Sequence, residues 1–198
     1  MKAAPKLLKT LLLLTAFCVS SWFFMPWRQV GTAVLTEARR HLETRGAELS
    51  FAGVEAVSGG FQVRNLNLSS FARFSFRTLT LKPHLLDSLL VLTPVCSVTF
   101  EGAEAVMGQP MSLGDGGATV TLGPDSVLLE GLRSNGEFSL NGFLAIDPGA
   151  MRIARANAAV RVPQSFEENM EALQAFLPLV REGSGRWFLR REEARASQ

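Results

Sequence analysis

Histidine and cysteine are almost missing from this chain, with two of each in 198 residues. That scarcity removes whole classes of chemistry. A zinc site draws on clustered Cys and His at short, regular spacings, whereas His41 and His84 stand far apart with no ligand spacing around either. No P-loop or dinucleotide fingerprint is present. Cys18 sits inside a long apolar run and Cys96 far outside it, so a disulfide between them has no workable geometry. Cys96 reads as a small buried hydrophobe. His84, Asp87 and Ser88 are the side-chain types of a nucleophilic triad, but within so few positions they are too crowded to converge, and the segment reads as a bend with polar ends. No catalytic residue, metal or cofactor is expected.

Charge is missing from Leu11 to Trp27, within LLKTLLLLTAFCVSSWFFMPW. About 17–25 mainly apolar helical residues are what crossing a hydrocarbon core takes, so this stretch predicts a transmembrane anchor. Lys2, Lys6 and Lys9 precede it without an acidic residue, and the bias of positive charge toward the cytoplasm puts the N-terminus inside. A cleaved signal peptide is the rival reading. Against it, the apolar run continues through Trp22, Phe23, Phe24 and Met25, and only Cys18-Val19-Ser20 approximates a small-residue cleavage site. Once those three lysines are set aside from the total of 20 Lys and Arg, the exported part holds 17 against 18 Asp and Glu. It is close to neutral, which makes nucleic acid a poor partner.

Arg28–Arg45 carries Val30, Val34, Leu35, Ala38 and Leu42 at helical spacing and ends at Gly46, an amphipathic helix that either docks under the following sheet or lies on lipid. From Ala47 the period changes to two. Alternation marks strands at Glu48–Phe51, Phe61–Leu68 and Arg73–Leu81, where the apolar phase slips between Phe76 and Leu79 and predicts a bulge or a strand apolar on both faces. Leu85–Leu92 reads as one helical turn before a bend at Pro94. Further strands follow at Cys96–Glu101, Ala118–Leu122, Val127–Leu132, Phe138–Ile146 and Met151–Val162, the last with Ala154, Ala156, Ala158, Val160 and Val162 on one face. Turns are expected at Ser58-Gly59-Gly60, Gly114-Asp115-Gly116-Gly117, Gly123-Pro124-Asp125, Ser134-Asn135-Gly136 and Asp147-Pro148-Gly149. Such brief connections imply an antiparallel meander.

The fold class is therefore mainly β: an N-terminal transmembrane helix and amphipathic helix, then an extended antiparallel sheet with one capping helix. The divisions are a basic cytoplasmic start (1–10), the anchor (11–27), the amphipathic helix (28–46), a periplasmic β-rich domain (47–191) and a polar tail (192–198). The capping helix follows Pro163, with Ser165 and Glu168 as a capping box and Phe166, Met170, Leu173 and Leu177 as its buried stripe. A last strand is expected at Arg186–Arg190. Phe74, Phe76, Val98, Phe100, Val120, Leu122, Phe138, Leu140, Leu144 and Ile146 form one apolar sheet face. That face is either closed core or an open groove, because one helix covers few strands and a large uncovered apolar face calls for a ligand or partner.

The opening GAELSFAGVEAVSGGFQVRNLNL and the closing NGEFSLNGFLAIDPGAMRIARANAAVRVPQSFEENMEALQAFLPLV resemble the type II secretion system N proteins and the broader AsmA-like group of anchored periplasmic β proteins. The chain departs from that pattern in being short, and GSGRWFLRR fits the final strand loosely. The resemblance implies a non-catalytic accessory or scaffold at the bacterial inner membrane, in contact with other inner-membrane or periplasmic secretion components. It equally admits a small protein that binds or transfers phospholipid.

Overall fold

The structure, a computed structural model, describes residues 24–191 apart from 71, 108, 148, 151, 175 and 176, and before them 13, 16, 17 and 20–22. The expected basic start, most of the expected anchor, including Cys18, and the polar tail lie outside the described residues. No helix among the described residues is long and apolar enough to cross a membrane.

The first described element is helix α1, Trp27–Glu43. Trp27, Gly31 and Leu35, spaced by four, form its buried stripe. Arg40 and His41 suit the negative end of its dipole, and Glu37 bridges both on the outer face. Gly46 turns the chain out of the helix with φ +75°. The amphipathic segment is docked on the sheet, with Val30, Ala38 and Leu42 packed along the same contact; Val34, expected in the stripe, is half-exposed at 50% instead.

Eleven strands make one sheet: β1 (Glu48–Ser50), β2 (Gly53–Val57), β3 (Gly60–Ser69), β4 (Arg73–Pro83), β5 (Val95–Met107), β6 (Gln109–Leu122), β7 (Val127–Ser134), β8 (Ser139–Asp147), β9 (Arg152–Arg161), β10 (Leu179–Gly183) and β11 (Arg186–Arg191). Every pairing is antiparallel, in the order β1-β3-β4-β5-β6-β7-β8-β9-β11-β10, and β2 also pairs with β3. β1 and β2 divide one edge of β3 between them, β1 at Asn67–Ser69 and β2 at Gly60–Arg64. Helix α2, Leu85–Val91, joins β4 to β5. A 3₁₀ turn at Gln164–Phe166 leads into helix α3, Glu167–Leu173, between β9 and β10.

The phase slip in β4 is matched in its neighbours. Asn65 of β3 has φ +49° and Gly102 of β5 has φ +57°, and the pairings on either side put both opposite Arg77. Register is unbroken from β3 to β4 but shifts between Phe100 and Ala103 in β5. A left-handed residue breaks the alternation of side chains, which is why Val63 and Leu66, an odd number of positions apart, both belong to the cluster beneath α1. Phe76 and Phe100 meet edge to face across this seam at 5.8 Å between centroids.

Two cores result. One lies between α1 and β1–β4 and contains Leu49, Val54, Phe61, Val63 and Leu66. The other joins α3 to β9–β11 through Val160, Val162, Phe166, Met170 and Trp187. Ala156, Ala158, Val160 and Val162 are buried as the alternation of β9 predicts. The capping box does not form: neither the 3₁₀ turn nor α3 has a side-chain cap. Ser165 lies inside the 3₁₀ turn and not at the helix start, so it cannot pair with Glu168 as a cap. The neighbouring Glu167 reaches the β10–β11 turn, where its carboxylate accepts the Gly185 N–H and the Ser184 hydroxyl and pairs with Arg181. β10 was not foreseen; its five residues fall between Pro178 and Ser184 and are too few for a period to declare itself.

Candidate interaction site

Helices α1 and α3 lie at the two ends of the strand order; the α3 core also takes in Ala105 of β5 and Met111 of β6, and what neither core includes is the opposite end of the middle strands. Of the proposed apolar face, Phe76 packs on the α1 core, while Phe74, Phe138, Leu140 and Leu144 pack on the α3 core. Val98, Phe100, Val120, Leu122 and Ile146 belong to neither cluster. All of these side chains are half-buried except Leu122, which is 45% exposed. Of the capping stripe, Phe166 and Met170 are buried; Leu173 and Leu177 pack against them while partly exposed.

Register shows how these residues run into the α3 core. Cys96, Val120, Leu129, Leu144 and Ala156 stand opposite one another across β5, β6, β7, β8 and β9. Beside that row run Leu122, Val127, Ile146 and Ile153. Because opposite residues share a face and lie about 4.5–5.5 Å apart, the rows make a continuous apolar strip across the sheet centre. Leu129 and Val127 were missed as members of this face, since the run Val127-Leu128-Leu129 hides the period of two. Cys96 is half-buried within the strip, and its desolvation raises the thiol pKa above the ordinary value.

The reverse face is polar. Thr78 pairs with Glu101 and Thr80 with Thr99, and these line a concavity of about 410 Å³ with Asp115 and Arg133. Asp115 accepts the Gly102 N–H at 2.8 Å, closing the seam, and its own N–H goes to Asn135 Oδ1 at 2.7 Å. The segment Gly114–Gly117 is thus the interior of a strand and not the expected turn. Among the described residues no group of three or more His, Cys, Asp or Glu is arranged to hold a metal ion.

At the β4–β5 end, His84 Nδ1 lies 2.9 Å from Asp87 Oδ2 and Nε2 lies 2.7 Å from Ser97 Oγ. The carboxylate only accepts, so Nδ1 carries the proton, and in the neutral ring Nε2 accepts from Ser97. The connectivity is that of a Ser-His-Asp triad, with Ser97 in the place where sequence reading considered Ser88. Ser88 instead bonds the backbone, donating to the His84 carbonyl at 2.6 Å and accepting the Val95 N–H at 2.9 Å. No recess lined by these side chains accompanies the relay among the described concavities, and their bonds tie α2 to β5.

The described residues form a long antiparallel meander with helices packed at its two flanks, which defines a mainly β protein. Residues 5–191 match the family described as Type II secretion system protein GspN-like, Synergistales. The chain belongs to that family. Comparison with curated proteins and with solved structures finds no match in either.

Proposed function

We propose that this is a non-catalytic accessory or scaffold of a type II secretion system, anchored in the inner membrane with its sheet in the periplasm. The observation that carries this reading is the family match over residues 5–191 together with a sheet on which Val98, Val120, Leu122 and Ile146 lie outside both helix cores and suit a contact surface. Anchoring is supported by the uncharged stretch Leu11–Trp27 and by Lys2, Lys6 and Lys9 ahead of it. In this role the sheet edges and the strip contact other inner-membrane or periplasmic secretion components. Alkaline phosphatase fused after Gln198 is expected to be active; activity of a cytoplasmic reporter there overturns the orientation. Photo-crosslinkers at Val120 and Leu129 in the full-length chain are expected to capture secretion components, and capture of lipid alone counts against the scaffold.

The half-buried state of Val98, Val120 and Ile146 favours one rival: an AsmA-like protein that binds or transfers phospholipid along the same strip. Mass spectrometry of the gently extracted full-length chain separates the two. About one phospholipid per chain, lost on Val120→Glu or Leu129→Glu while the fold survives, makes the carrier the better reading. Absence of such a lipid supports the scaffold.

A further inference from the structure

Helix α2 carries its leucines outward. Ser88 is turned to the sheet and bonds the backbone of His84 and Val95, while Asp87, its side chain 57% exposed, bonds His84 at 2.9 Å. The apolar side chains of α2 face away, with Leu86, Leu89 and Leu90 exposed at 77%, 65% and 82% and Leu92 at 87%. No residue of α2 is buried. Leu92 also holds the left-handed conformation, φ +54°, at the helix end where glycine or asparagine is the usual occupant. A helix in water turns its leucines toward the protein. Leucines presented outward from so short a helix are what an apolar solvent selects.

The position of α2 names that solvent. A Cβ on Gly31 would meet Phe61 and Val54, so the first turns of α1 lie beside the start of β3. Phe61 is paired with Leu81, two residues before Pro83. The chain therefore enters α1 at the end of the sheet that carries α2, and the side chains just before it, Phe24 and Met25, are exposed at 86% and 40%. Leu122, 45% exposed, hydrogen-bonds Pro94 at the same end. Apart from Val34, Val106 and Val180, every exposed large hydrophobic among the described residues lies in the N-terminal segment, in α2 or its flank, or at Leu122.

We infer that α2 is a second membrane contact: Leu86, Leu89, Leu90 and Leu92 enter the acyl region of the bilayer that holds the N-terminal segment, with His84 and Asp87 at the lipid–water boundary. The sheet is then fixed at two points of one end, and the strands rise away from the membrane. β5, with 13 residues, spans roughly 40 Å at about 3.3 Å per residue, so Gln109 stands clear of the lipid.

This inference rests on the anchored reading of the N-terminal segment, and the experiment keeps the two apart. The full-length chain, with Cys18→Ser and Cys96→Ala, is reconstituted in phosphatidylethanolamine–phosphatidylglycerol vesicles. A solvent-sensitive dye is placed in turn on Phe24→Cys, Leu90→Cys and Gln109→Cys, and quenching by lipids with nitroxide-bearing acyl chains is measured. The expected result is blue-shifted emission that loses most of its intensity at positions 24 and 90, with no loss at 109. Quenching at 24 without quenching at 90 overturns the inference and leaves the anchor. A blue shift at 90 that lipid-borne quenchers do not touch puts a protein on the leucines and overturns it as well. Quenching at 90 but not at 24 overturns the anchored reading and, with it, the attachment at two points, leaving α2 as a membrane contact by itself. Equal quenching at 90 and 109 removes the orientation and with it the inference, and no quenching anywhere overturns both.

Discussion

Gly31 of α1 and Phe61 of β3 meet with no space for a side chain between them: a Cβ on Gly31 would stand 2.6 Å from Cγ and Cδ2 of the Phe61 ring and 2.8 Å from Cγ1 of Val54. The helix lies this close to the sheet because that position carries no Cβ. Its first turn brings buried Trp27 down beside the sheet, and Trp22 stacks edge to face on Trp27 at 4.7 Å between centroids. The contact thus sets how the N-terminal segment leaves the β domain. Gly31→Leu is expected to destabilise the protein by about 1–3 kcal/mol through overpacking, measured by urea denaturation, and to increase protease access to the α1–β1 link. A stability equal to that of the parent means that α1 does not dock through this face.

The carboxylate of Glu167 is held below the ordinary glutamate range, first by the Gly185 N–H, then by the Ser184 hydroxyl and by Arg181. A folded-state pKa below the unfolded one stabilises the fold fully above the unfolded value, and that contribution is lost as pH falls through the folded value. The urea midpoint is therefore expected to drop as pH is lowered from the ordinary value of 4.5, and Glu167→Gln is expected to flatten that part of the profile. An unaltered acid limb in the Glu167→Gln protein removes this carboxylate from the account.

Met170 is 3% exposed in the α3 core, whereas Leu173, one turn on, packs against the core while partly exposed. Replacing each with aspartate separates burial from mere helix membership. Met170→Asp loses a core side chain and buries an unpaired charge, a change of several kcal/mol on the order of 3–5. Leu173→Asp keeps access to water and is expected to lower stability by less than half as much. Equal effects in thermal melts mean that α3 is not docked with this face inward.

Much of this architecture is readable from local chemistry. The alternation in β9 and the turn at Gly123-Pro124-Asp125, closed by Gly123 N–H on the Ser126 carbonyl, follow from side-chain period and from turn residues whose preferences need no distant partner. Part of what failed was decided by distant neighbours. Gly114–Gly117 looks like a turn, yet a Cβ on Gly116 would lie 2.0 Å from the Arg133 carbonyl oxygen and 2.5 Å from the Phe100 ring; that glycine serves a close approach between strands. The Ser165–Glu168 capping box does not form because the chain takes a 3₁₀ turn over Gln164–Phe166 before α3 begins at Glu167. Trp187, at 1% exposed the most buried large side chain of the α3 core, lies in a short strand whose flanking arginines mask its period. The strip is legible in part, because Val120, Leu122, Leu144 and Ile146 alternate plainly while the register that lines Cys96 up with Val120, Leu129, Leu144 and Ala156 is a property of five strands together.

His84 is the point where structure and chemistry pull apart most sharply. Its contacts with Asp87 and Ser97 have triad connectivity, but acyl transfer also needs oriented oxyanion donors and a substrate recess, and Ser97 sits within β5 with neighbours Lys82 and Thr119 in register on either side. The bonds instead hold a leucine-bearing helix against the sheet by its polar side. A fluorophosphonate probe is therefore expected to leave Ser97 unlabelled in the full-length protein. Ser97→Ala and His84→Ala are expected to loosen α2, raising the rate of proteolytic cleavage between Leu85 and Leu92 in detergent, while the stability measured by urea denaturation changes by no more than about 0.5–1.5 kcal/mol, the scale of one hydrogen bond. Labelling of Ser97 that disappears in His84→Ala makes this relay a nucleophilic site and removes the scaffold-only reading. Cleavage unaffected by either substitution means that the relay does not restrain α2.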